Sequence, residues 1–173
     1  LVPPGASEYG GLQVNTSQAW NLVPRQATPA SRPDSKVWTQ DGLLLDRILI
    51  IPSVPDGESI FKQNSDWQAL PVFRADMGPK DIEELTESSI AKLFGEGQVA
   101  VETANLRPHR FGSNKGFLFD MEMVVTDGPN YGGLTGAFIE AEKLYMVIYL
   151  GAKPYYFEKH LDEARVIVRG ATL

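Results

Sequence analysis

The sequence predicts an α+β fold: a predominantly antiparallel sheet, built from hairpins and a meander, packed by two or more helices. Three observations lead there. Alternating apolar runs in the second half follow one another across short turns, and strands joined that closely pair antiparallel. Two longer segments instead repeat apolar residues at helical spacing and end at glycine. The 173 residues are 43% hydrophobic and 22% charged, an ordinary balance in a chain long enough to bury a core.

Taken in order, residues 1–16 begin with a stretch rich in proline, glycine and serine, from Leu1 to Gly11, and read as a flexible tether ahead of a single domain, 17–173. Gln18–Val23 reads as a short strand with Trp20 and Leu22 on one face, and the prolines at 24, 29 and 33 make the next stretch a loop. Lys36–Gln40 and Leu43–Ile51 form a hairpin across Asp41-Gly42, a dipeptide favoured where both central residues need positive φ. Residues 52–77 have no steady period, yet they hold Phe61, Trp67, Leu70, Val72 and Phe73, so they are expected to pack across the domain. A long excursion of this kind often serves a contact.

Pro79–Phe94 is the first helix. Proline suits its first turn, the early acidic residues complement the dipole, and Gly95 is the stop. Ile82, Leu85, Ile90, Leu93 and Phe94 form its inward stripe, with Glu83, Glu84, Glu87 and Lys92 outside. Gln98–Ala104 then alternates and extends towards Arg110, and Gly112–Gly116 turns the chain. In the following strand Phe117, Phe119, Met121, Met123 and Val125 take one face, while Leu118, Asp120, Glu122 and Val124 take the other. Asp127–Gly133 reads as a loop, Leu134–Glu142 and Leu144–Leu150 as strands with a tight return at Glu142-Lys143. Tyr155–Arg169 closes the chain as a helix with Phe157, Leu161, Ala164 and Val168 inward. Gly170 as a stop outweighs the β-branched run at 166–168.

Composition excludes several functions. With no cysteine there are no disulfides, thiol nucleophiles or thiolate metal sites. A net charge of −6 repels nucleic acid, so no nucleic-acid partner is expected. Arg107, His109, Arg110 and Lys115 form the densest basic group and read as a solvated strand end. No run approaches the roughly 18 apolar residues that cross a bilayer. The lead resembles the segment that follows a removed signal, or the acylated cysteine of a bacterial lipoprotein. That makes an exported protein the expectation, in the bacterial periplasm or outer envelope, with a possible membrane tether through an N-terminal lipid anchor.

The chemistry-bearing residues are sparse. There is no Gly-x-Ser-x-Gly elbow, and the glycines at 128–136 lack the Lys-Ser/Thr of a phosphate loop. His109 lies at a strand end and His160 on what reads as an exposed helix face, so no catalytic set is assigned and no cofactor is expected. Asp120 and Glu122 share a strand face. With His109 they are the candidate ligand- or metal-binding residues, and Glu102 or Glu140 on neighbouring strands would complete an oxygen set for a hard cation. The same carboxylates suit a glycosidase-like acid/base pair, and any wet strand face gives the same pattern. Phe117, Phe119, Met121 and Met123, with Tyr145, Tyr149, Tyr155 and Tyr156, would line a cavity for a small apolar ligand. Core packing accounts for the same stripe.

Trp20, the run Val37-Trp-Thr-Gln-Asp-Gly42, Leu43–Ile51 and the closing Phe157…Leu161…Val168 pattern together resemble the PsbP-like α/β/α sandwich over roughly residues 17–170. That fold includes extrinsic photosystem subunits and some bacterial lipoproteins. The resemblance implies a non-catalytic binding or assembly protein and transfers no functional residue. The leading expectation is therefore a non-catalytic exported protein acting through protein–protein contacts, with the loops 52–77 and 127–133 as contact regions. The alternatives are a carrier of a small apolar ligand between sheet and helix, and a hydrolase using the strand carboxylates.

Overall fold

The computed structural model describes residues 1–63, 69–95 and 97–173. A hairpin of β1 (Gly5–Tyr9) and β2 (Leu12–Thr16) is followed by β3 (Asn21–Leu22), β4 (Lys36–Thr39) and β5 (Asp46–Pro55). Then come α1 (Pro79–Phe94), β6 (Val99–Phe111), β7 (Asn114–Val125), β8 (Tyr131–Glu140), β9 (Lys143–Ala152) and α2 (Tyr155–Arg169). Strands β3 to β9 make one sheet in the order β3-β4-β5-β9-β8-β7-β6, every neighbouring pair antiparallel.

Alternation sorts the strand residues onto two separate cores. On one face Ile51, Phe119, Met121, Met123 and Ile148 pack against Ile82, Leu85 and Ile90 of α1 and against Phe61, Leu70 and Phe73. On the other, Ile48, Ile50, Leu134, Phe138 and Tyr149 pack against Ala164, Ile167 and Val168 of α2, together with Trp20 and Trp38. β8 and β9 are buried on both faces for almost their whole length. Each fully buried Leu, Ile or Phe contributes about 1.5–3 kcal/mol, so the sheet depends on having a cover on each side. Phe117, Phe119, Met121 and Met123 lie in the α1 core and Tyr145 and Tyr149 in the α2 core, so those residues share no cavity.

Several expectations change. Residues 1–16, expected as a flexible lead, form the β1–β2 hairpin, with Leu12 and Val14 fully buried and Val2 bridged to Trp20. Gly10 and Gly11, both at positive φ, make the turn that the glycine-rich composition disguised. Trp20 is fully buried whereas Leu22, two residues on, is 44% exposed at the sheet margin. The 36–51 hairpin pairs Trp38 with Ile48, and its connection is six residues long instead of two. The buried Asp46 carboxylate accepts the backbone N–H groups of Gln40 (2.8 Å) and Asp41 (2.7 Å), which holds this wider loop open. The described part of 52–77 packs into the core through Val54, Ile60, Phe61, Leu70 and Phe73; Trp67 lies outside the described residues.

Both main helices keep their expected bounds, but the acidic side of α1 is not simply solvated. Glu83 is 2% exposed and paired with Lys80, and Glu87 accepts the Thr103 backbone N–H and hydroxyl on β6. Of the glycines expected in the 127–133 loop, Gly128 stays in the turn, whereas Gly132 and Gly133 sit inside β8. A Cβ on Gly136 would come within 2.9 Å of Val168, and one on Gly151 within 2.6 Å of the Phe157 backbone, so glycine lets α2 lie close on the sheet. The tight return falls at Ala141-Glu142, both at positive φ, pairing Glu140 with Lys143.

The sheet ends are short or interrupted. β3 has two residues. β6 is long, but Glu87 takes its outward Thr103 N–H, a register shift separates Ala104 from Arg107, and Pro108 offers no N–H. α1 packs on β6 and β7, whereas α2 packs chiefly on β9, β8, β2 and β5. On the α2 side, therefore, the β6–β7 flank lies open beside the helix. Truncating Leu12 to alanine is expected to cost about 2–5 kcal/mol in urea unfolding; a change below about 0.5 kcal/mol would mean the hairpin is only loosely attached.

Candidate functional site

The open flank is a groove of about 460 Å³ between α2 and β6–β7, within the range of roughly 300–1,000 Å³ typical of ligand sites. Alternation on β7 turns Leu118, Asp120 and Glu122 towards it, and β6 supplies Arg107 and His109. The three candidates His109, Asp120 and Glu122 are thus brought to one groove. Glu102 lies opposite Glu122 in register, while Glu140 is paired with Lys143 at the β8–β9 turn and does not line the groove.

Each candidate already has a partner. His109 Nε2–H donates to the Arg169 carbonyl at 2.8 Å, closing the last turn of α2, and its ring sits edge-on to Phe111. Asp120 accepts from Asn105 at 2.8 Å and from Arg107 at 3.3 Å. Glu122 is paired with Lys153, whose ammonium lies 5.5 Å from the Phe157 ring centre. A general base needs a free lone pair aimed at a substrate proton, and a hard cation needs carboxylates that are not already neutralised. The groove presents paired, partly exposed charges beside an apolar strip.

Its helical wall was not legible as a site. Phe157, Leu161, Arg165 and Arg169 recur every fourth residue and all line the groove. Phe157 and Leu161 belong to the expected inward stripe of the closing helix, and nothing in the sequence singles out Arg165 or Arg169. The available signal was the four-residue repeat itself.

Two polar contacts hold this wall. His160, expected on an exposed face, is 4% exposed. It donates from Nε2 to Asp41 Oδ2 at 2.6 Å and packs against Trp20. One turn on, Glu163 accepts from the Thr16 and Ser17 hydroxyls and from the backbone N–H groups of Ser17 and Gln18. These clamps tie α2 to the 40–45 loop and to the end of β2.

Hydrogen bonds from Lys159 and then His160 hold the Asp41 carboxyl below its ordinary value. At Glu163 burial acts to raise the carboxyl, and the hydrogen bonds from Ser17, Thr16 and the backbone outweigh it, leaving it lowered. Asp41, Asp46 and His160 are the trio, among the described residues, with potential metal-ligand atoms within 4.8 Å of one another. Asp41 accepts from Lys159 and His160, and Asp46 from the backbone of Gln40 and Asp41, so the trio takes part in the clamp.

A separate apolar cavity beneath α1, bordered by Leu49, Ile90, Leu93, Met123 and Ile148, holds about 60 Å³. That is far below the roughly 300–1,000 Å³ typical of small-molecule sites. No described helix is long and apolar enough to cross a membrane.

No family model matches the chain, and no curated protein matches it by sequence. Among solved structures the fold is similar to cyanobacterial PsbP (CyanoP) from Synechocystis sp. PCC 6803, with a TM-score of 0.62 at 13% identity, covering 95% of this chain and 87% of that one. It is also similar to LpqN, involved in cell envelope biogenesis of Mycobacterium tuberculosis, with a TM-score of 0.52 at 10% identity, covering 98% and 84%. The chain has a PsbP-like fold.

Asp41 and Glu163 titrate lower in the folded than in the unfolded chain. Their stabilisation is therefore complete above the ordinary values of 3.8 and 4.5 and is lost as pH falls through the lowered folded values. Thermal melts should be nearly flat from about pH 7 to 5 and fall below that, and Glu163→Gln should lower the neutral-pH midpoint while flattening the acid slope. An unchanged acid slope in that variant would remove Glu163 from the clamp.

Proposed function

We propose that this PsbP-like domain is a non-catalytic, exported binding protein of a bacterial cell envelope that acts through protein–protein contacts made in the groove between α2 and β6–β7. The observation that carries the reading is the state of the groove residues. His109, Asp120 and Glu122 are all committed to structural partners, while the space between the walls stays open. A groove that spends its ionisable groups on holding its own shape is built to receive a surface. The fold's likeness to CyanoP and to an envelope-biogenesis protein supports an envelope setting.

A small apolar ligand would not fit beneath α1, where the cavity is only about 60 Å³, so the carrier alternative would have to use the α2 groove itself. The hydrolase alternative would need the paired carboxylates to be released from Arg107 and Lys153.

A photo-crosslinking amino acid placed at Leu161, in the groove, should give discrete adducts with envelope proteins of the native cell. The same probe at Glu142, on the β8–β9 turn, should not. Equal labelling from both positions, or turnover of generic glycoside or ester substrates lost on His109→Ala, would overturn the proposal.

A further inference from the structure

The groove has two chemically different ends. Its α2 wall runs from Phe157 and Leu161 to Arg165 and Arg169, a single stripe at four-residue spacing. At the Phe157 end the strand wall contributes Glu122, neutralised by Lys153. At the Arg169 end it contributes His109 and Arg107. One end is therefore apolar and close to neutral, and the other carries three guanidinium groups against one carboxylate, Asp120, which Arg107 pairs, on a chain whose net charge is −6.

Those guanidiniums keep donors to spare. Arg165 pairs with Asp162, which is 99% exposed, an exchangeable surface contact. Arg169 has no side-chain hydrogen bond or ion pair with the described residues. Arg107 contacts the Asn105 carbonyl and Asp120 through two of its five N–H groups. Two of these guanidiniums lack a firm partner, so an acidic group placed at this end gains charge-assisted hydrogen bonds.

We infer that the groove takes an acidic peptide segment of a partner protein, with an apolar side chain at the Phe157–Leu161 end and alternate carboxylates at the Arg165–Arg169 end. This rests on the protein-contact reading above and names the chemistry of the partner. The spacing follows from the helix. The middle of the apolar pair and the middle of the arginine pair are eight positions apart, about 12 Å along the axis, or roughly four residues of extended chain. Side chains one helical turn apart stand about 5–6 Å from each other, close to the spacing of alternate side chains on an extended peptide, about 6–7 Å. Because β6 is interrupted by its register shift and by Pro108, the segment is held by side chains and does not join the sheet as an added strand.

The test is fluorescence anisotropy with the intact chain and a labelled hexapeptide bearing leucine at its first position and glutamates at its fourth and sixth. Replacing the glutamates by glutamine should weaken binding at least tenfold, as should the double variant Arg165→Glu with Arg169→Glu. A lysine-for-glutamate peptide should bind that double variant better than the wild type, an exchange that a misfolded variant cannot produce. Binding indifferent to these charges, or no binding at all, overturns the inference. Dodecanoate binding tighter than the peptide at the same arginines overturns it too, in favour of a lipid ligand. Adducts from the Leu161 probe that persist after such a failure leave the groove as a contact surface and remove only the acidic-segment chemistry.

Discussion

The rest of the structure depends on the two-sided burial of the central strands. β8 and β9 carry apolar or small residues on both faces, and neither face tolerates water. One helix spans only part of a seven-stranded sheet, so each cover leaves some of its face bare. α1 lies over β6 and β7; α2 lies over the middle of the opposite face. The groove is the remainder of that geometry, and its walls are fixed because both belong to elements the core requires.

The α2 wall is placed by polar contacts as well as by packing. Buried charge is costly unless it is paired and hydrogen-bonded. Here the Asp41–His160 and Glu163 contacts meet that condition with partners drawn from both the N-terminal hairpin and the 40–45 loop. Of the residues that face the groove, Phe157 and Leu161 also pack on the core, whereas Arg165 and Arg169 are left with little structural duty. Separating the two roles on one helix lets the arginine end of the groove vary without loosening the fold.

Much of the fold was legible because its signals are local. Pro79 and Gly95 bracket one helix, Gly170 closes the other, and the β6–β9 meander is marked by alternation and short turns. What escaped depends on distance along the chain or on residues with two readings. Proline and glycine in residues 1–16 describe a tether as well as a turn, and only the burial of Leu12 and Val14 decides between them. His160 looked solvated because its partner lies 119 positions away. Glu87 looked like part of a wet face for the same reason, its partner Thr103 lying on β6, and Glu83 did because its burial comes from packing that its neighbours in sequence do not mark. Of the groove, the strand half was visible through Asp120 and Glu122. The helix half was not, since arginines on a polar stripe carry no mark of what they face.

The interrupted β6 edge bears on how this chain meets others. A long, regular margin would let any exposed backbone, native or unfolded, dock by its amides alone, with no regard to sequence. Here one end of the sheet is two residues long, and the other is broken by a carboxylate, a shifted register and a proline. Growth by backbone templating stops at both ends. An added chain would gain little from the sheet's own backbone, and the fold is thereby shielded from polymerising through its strand edges.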